Sequence, residues 1–114
     1  MARLDLFHNP HGEGYLVDVQ SDQLLRAKTR MVVPLLLKSK APKPIPVLNP
    51  EFILEGQPYI MVTQFMAAIP TRDLVDPIRN LSMSGETIRA ALDMLLEHDT
   101  LVSGSQGKRL ASNR

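Results

Sequence analysis

The chain has 114 residues, with 13 Lys and Arg against 12 Asp and Glu, for a formal net charge of +1. That length fits one domain that buries roughly two thirds of its unfolded surface and needs no disulfide or metal to fold, and so small a charge does not imply a nucleic-acid binder held by bulk electrostatics. There are no cysteines, which excludes a disulfide framework, a thiolate zinc site and cysteine catalysis together.

The opening MARLDLF has no apolar core of signal-peptide length. No window approaches the roughly 18 apolar residues that cross a bilayer, so the expectation is a soluble, cytoplasmic protein. Residues 3–7 (RLDLF) place Leu4 and Leu6 on one face and predict a first strand. HNPHGEG follows, rich in turn residues. Residues 15–19 predict a second strand, paired with the first. Residues 31–37 (MVVPLLL) are apolar on both faces, which suits a central strand covered on both sides. Pro34 has no N–H and therefore belongs at a bulge or an unpaired edge position. Between these strands lie eleven residues, Gln20 to Arg30, polar or basic except for Leu24, Leu25 and Ala27. A tight hairpin uses roughly two to five, so this connector is over-long.

Residues 38–50 (KSKAPKPIPVLNP) carry four of the nine prolines and predict a stiff, extended surface loop. Residues 51–54 and 59–67 flank the turn signal EGQP and read as a hairpin. Its second arm, YIMVTQFMA, is apolar on both faces, more than one small barrel should cover. Residues 71–81 (TRDLVDPIRNL) read as a loop or minor strand. Ser84 is placed to cap a helix with Glu86 in its first turn. Ile88, Ala91, Leu92, Leu95 and Leu96 then mark an amphipathic helix over residues 85–98. Residues 1–102 form the single domain, and 103–114 have the composition of a disordered tail. The class is mainly β with one C-terminal helix.

Chemistry is sparse. His8 and His11 share a turn with no clear third ligand and read as solvated residues. Asp18 and Asp22 would align only on a helix, and their region reads as strand then loop, which gives them turn and edge roles. HExxH, GxSxG and glycine-rich phosphate loops are absent. A metal-free ribonuclease needs only an arginine beside an acid or hydroxyl, for which Arg26, Arg30 and Arg72 with Thr29 or Thr71 are the candidates. No catalytic site, cofactor or metal is expected. Charge is nevertheless uneven: Arg26, Lys28, Arg30, Lys38, Lys40 and Lys43 make a basic central stretch, and Asp93, Glu97 and Asp99 make the helix end acidic.

Five segments occur together in order: LVDVQSD (16–22), RMVVPL (30–35), EGQPYIMVTQFMAAIP (55–70), NLS (80–82) and IRAALDMLL (88–96). In this the chain resembles the CcdB family of toxins from toxin–antitoxin pairs, over residues 1 to about 99. The resemblance implies a small SH3-like β-barrel of the CcdB/MazF-like kind with a C-terminal helix, acting as a symmetric homodimer without enzymatic activity. It implies binding to the DNA gyrase A subunit, trapping of the gyrase–DNA cleavage complex, and neutralisation by a CcdA-like antitoxin, with no sequence-specific nucleic-acid binding by the toxin alone and no membrane. The likeness of this fold to MazF-type ribonucleases keeps the enzymatic alternative in view. Carried over by position, the gyrase- or antitoxin-binding residues are Leu4, Gln23, Leu24 with Leu25, and Asp93. The best-known members end in Trp-Gly-Ile directly after the helix; here those positions are Glu97, His98 and Asp99, and the chain has no Trp. An acidic segment cannot make the buried contact of an aromatic wedge, because burying unpaired carboxylates costs several kcal/mol. A homologue that has lost gyrase poisoning is therefore a further alternative. The surplus apolar surface predicts Met61, Met66 and Met94 at or near the two-fold interface.

Overall fold

β1 (Asp5–His8) begins two residues later than the alternation predicts. Leu4 lies in the left-handed region at φ 73°, where a strand cannot run. Its amide donates to the Asp18 carbonyl (2.6 Å) and its carbonyl accepts from Leu81 N (2.8 Å), so the kink is held from both sides. β1 pairs antiparallel with β2 (Tyr15–Asp18), placing Leu6 opposite Val17. The turn between them requires Gly14, at φ 85°, because a Cβ there would run into the carbonyl oxygen of Leu35. Gly14→Ala should therefore destabilise the fold by about 2 kcal/mol, through left-handed strain and displacement of the neighbouring backbone. The check is a lower urea midpoint at unchanged slope.

The computed structural model describes residues 1–97. Its strands form one curled antiparallel half-barrel sheet with a C-terminal helix, the mainly β class expected. β3 (Thr29–Leu37) is its centre. One edge of β3 pairs with β2, from Tyr15 opposite Leu35 to Asp18 opposite Val32. The other edge takes two strands, β5 (Gln57–Met61) along Leu35–Leu37 and β6 (Ala67–Pro70) along Thr29–Val32, with β4 (Glu51–Leu54) beyond β5.

The single arm expected over 59–67 is thus two strands, split by a 3-10 turn at Thr63–Phe65. The cause lies opposite, at Pro34. Its carbonyl accepts from Val62 N (2.9 Å), so the proline nitrogen faces this edge as well, since the N and C=O of one strand residue point the same way. Lacking an N–H, β3 cannot carry an unbroken ladder there, and its partner leaves and rejoins. The irregularity expected at Pro34 is borne out.

The β4–β5 hairpin closes through Glu55 and Gly56, at φ 52° and 76°. Two positive φ values in a two-residue loop fit a type I′ turn, tighter than the four-residue EGQP turn expected. β7 (Arg79–Asn80), the minor strand within 71–81, completes the order β4-β5-β3-β2-β1-β7.

Alternation along the strands divides the core. Leu6, Val17, Val33 and Leu35 join Leu54, Met61 and the helix residues Ile88, Ala91 and Leu92 on one side. Phe7, Leu16 and Val32 meet Leu74 on the other. The helix α1 (Gly85–Leu96) is anchored by Ile88 and Leu92, each contributing roughly 1.5–3 kcal/mol by burial. Ser84 does not cap it with its side chain, because the 3-10 turn Ser82–Ser84 runs directly into the first helical turn. The helix stops at Leu96, with Glu97 extended at φ −163°, rather than continuing to 98. The buried stripe ends at Leu92; Leu95 is half-buried and Leu96 is 67% exposed. Met61 is 0% exposed inside the core, so its thioether is not surface that a second subunit can cover. Met66 is half-buried and Met94 is 39% exposed. The tail expected over 103–114 lies outside the described residues.

Candidate functional site: the connector and its buried ion pair

The connector between β2 and β3 starts at Ser21, whose hydroxyl accepts from Gln23 N (3.1 Å) and opens a 3-10 turn at Asp22–Leu24. A carboxylate oxygen of Asp22 accepts from Arg3 N (2.7 Å), tying this turn to the N-terminal segment. Beneath it, Arg30 and Asp18 are both completely buried and form a two-bond fork, Nε to Oδ2 at 2.8 Å and Nη2 to Oδ1 at 3.0 Å. The rest of the guanidinium faces the connector backbone: Nη1 donates to Leu24 O (3.2 Å) and Nη2 to Gln20 O (3.3 Å). Asp18 Oδ1 also accepts from Gln20 N (3.0 Å). Gln20 completes the network, accepting from Met31 N (2.9 Å) and donating to Thr29 O (3.1 Å) and Leu24 O (3.4 Å).

Planar bidentate pairing is what makes a guanidinium and a carboxylate tolerable out of water. Asp18 therefore does not occupy the turn or edge role read from its alternation, and Arg30 is no surface arginine. The β2–β3 register carries the pairing, since Asp18 stands opposite Val32 and Arg30, two residues before Val32, points to the same face of the sheet. The outcome is a connector with a fixed backbone and a projecting tip. Leu24 and Leu25 are 53% and 52% exposed, and Gln23 is exposed beside them. Two adjacent apolar side chains are thus held in water on a hydrogen-bonded frame.

The other expected contact residues lie elsewhere. Leu4 is 4% exposed and packs near the start of α1, so its side chain belongs to the core. Asp93 and Glu97 are exposed at the end of α1, which packs on the turns at Thr63–Phe65 and Ser82–Ser84. Among the described residues no hydrogen bond joins the connector to α1. His98 and Asp99 lie outside the described residues.

The arginines considered for ribonuclease chemistry separate. Arg30 is sealed in the core. Arg26 and Arg72 line one groove of about 430 Å³ with Leu25, Ala27, Lys28 and Thr71, and Thr29 is not among its lining residues. The Thr71 hydroxyl is already committed, donating to Ala27 O (2.9 Å). Among the described residues no carboxylate or imidazole lines the groove. Lys28 was legible only as part of the basic stretch; what places it in the groove is the fold of the connector's last residues.

His8 stacks on Tyr15, ring centroids 5.2 Å apart, while His11 pairs with Asp73 at 2.9 Å, so the two histidines do not converge. Among the described residues no three potential ligands gather for a metal. A smaller cavity of about 260 Å³ is lined by Glu13, Gly14, Leu36, Leu37, Lys40 and Tyr59. At its mouth Lys40 contacts Glu13 at 2.6 Å and holds that carboxyl below its ordinary pKa. No described helix is long and apolar enough to cross a membrane.

None of the curated proteins compared with the chain matches it. The family model of the CcdB protein matches residues 3–97, which takes in the whole sheet, the connector and α1. The curled half-barrel with its C-terminal helix agrees with that match, and the chain belongs to the CcdB family of toxin–antitoxin toxins.

Proposed function

We propose that the protein acts by binding rather than catalysis, as a cytoplasmic homodimeric toxin that engages the DNA gyrase A subunit through the connector tip and is countered by a CcdA-like antitoxin. The observation that carries this is the Leu24–Leu25 pair, exposed on a backbone that Arg30 and Gln20 fix from below. An ordered apolar tip loses little entropy on docking, which favours affinity per contact. Of the three methionines expected at a two-fold interface, Met66 and Met94 are accessible to a partner and Met61 is not.

The test incubates purified protein with gyrase, ATP and supercoiled plasmid, then releases trapped complexes with detergent and protease. Linear plasmid that forms only when both proteins are present is the expected product; its absence, together with no retention of the gyrase A subunit, would remove the proposal. A second reading is favoured by Glu97, exposed and extended where the resembled members carry an aromatic. In that reading the protein retains gyrase without trapping cleaved DNA, and the assay captures the gyrase A subunit with no linear plasmid.

A further inference from the structure

The groove beside the connector has walls that are built rather than incidental. One wall is the connector's end, residues 25–28, and the other is Thr71–Arg72. They are joined by Thr71 N to Lys28 O (2.8 Å) and by the Thr71 hydroxyl to Ala27 O (2.9 Å). Along these walls stand two guanidiniums and one ammonium, from Arg26, Arg72 and Lys28, and all three residues are exposed. Among the described residues none of the three forms a salt bridge or donates a side-chain hydrogen bond. The nearest acid in sequence, Asp73, is occupied by His11. Among the described residues, three cations without an ion-pair partner thus stand on a cross-linked frame in a near-neutral protein and make a local positive field.

We infer that this groove binds the phosphodiester backbone of a nucleic acid, without reading its sequence and without cutting it. Backbone recognition needs only cations and donors spaced along a groove, and arginine forks match phosphate oxygens. An acidic peptide is the less suitable occupant, because among the described residues Leu25 is the only large apolar side chain in the lining and would give an amphipathic segment little to bury. Among the described residues no aromatic side chain lines the groove, so it offers no platform on which a base could stack. The described lining does not favour cleavage either, since it holds no acid or imidazole and the Thr71 hydroxyl is engaged. The inference does not depend on gyrase as the target.

The experiment is fluorescence anisotropy with a labelled 20-nucleotide RNA, the matching single-stranded DNA and the DNA duplex, at 50 and 200 mM salt. Binding to all three without sequence preference is expected. For the single strands, three neutralised phosphates give a salt slope near −2, or about twentyfold weaker binding across that range. Combined Arg26→Gln, Lys28→Gln and Arg72→Gln should remove most of the binding at 50 mM salt. Arg72→Gln alone should lower the slope by about 0.7, which keeps the test open if the triple variant fails to fold. No binding at 50 mM, or binding unchanged in the folded variants, would overturn the inference. So would a polyglutamate peptide that binds where the nucleic acids do not, or RNA cleavage that is lost with Arg26→Gln.

Discussion

Arg30→Ala is expected to lower folding stability by about 3–5 kcal/mol, the cost of stranding a buried carboxylate. Against a total of roughly 5–15 kcal/mol for a domain, that is enough to leave the chain partly unfolded at moderate temperature. Two effects add. Asp18, 0% exposed, loses the fork that neutralises it, and the carbonyl of Gln20 loses its guanidinium donor, while Leu24 O loses one donor and keeps Ala27 N and the Gln20 amide. The informative comparison is the double replacement of Asp18 by Leu and Arg30 by Met. Apolar substitution of a whole buried pair is often neutral or stabilising, so urea unfolding should return to near the parent value. The connector should not recover, because neither new side chain can donate to Leu24 O or Gln20 O. Limited proteolysis between residues 20 and 30 should therefore stay fast in the double variant while its midpoint recovers. A single Arg30→Ala loss of less than 1 kcal/mol would show that the pair is not what holds this region.

The second large effect concerns recognition. Leu24→Asp with Leu25→Asp should weaken binding to the gyrase A subunit by at least a hundredfold, equivalent to about 2.7 kcal/mol. Stability should change by no more than about 0.5 kcal/mol, because both side chains are already more than half exposed. This separation is what distinguishes contact leucines from leucines tucked onto the sheet. Parent-like affinity in the folded double aspartate variant would make the tip a structural loop and nothing more.

Much of this was readable in the residues. Alternation in RLDLF and YLVDV, the apolar run of MVVPLLL and the three- and four-residue spacing of Ile88, Ala91 and Leu92 are local signals, and each produced its element. What was not readable depended on partners distant in sequence. Asp18 occupies the polar slot of an alternating strand, and such a slot ordinarily faces water; only the β2–β3 register shows that Arg30 fills the space in front of it. YIMVTQFMA contains no breaker, and the gap between β5 and β6 falls opposite Pro34 on the neighbouring strand, out of reach of any local signal. Met61 reads like Met66 by composition, yet the turn at Thr63–Phe65 separates them, leaving Met61 in the core and Met66 half-buried. For the site, the exposed leucines were identifiable as an apolar pair in a polar loop. The groove was not, because Arg72 is reached only across the chain.

Asp18 is bonded in two directions. Its side chain grips Arg30 and, through it, the connector, while its carbonyl receives the amide of left-handed Leu4, whose own carbonyl secures Leu81 just ahead of α1. The path from loop tip to helix base is therefore a short series of links through one residue, side-chain bonds on the connector side and main-chain bonds on the helix side. In mechanical terms Asp18 is a pivot pin. Tension applied at Leu24 has few soft joints in which to dissipate before it reaches the first turn of the helix.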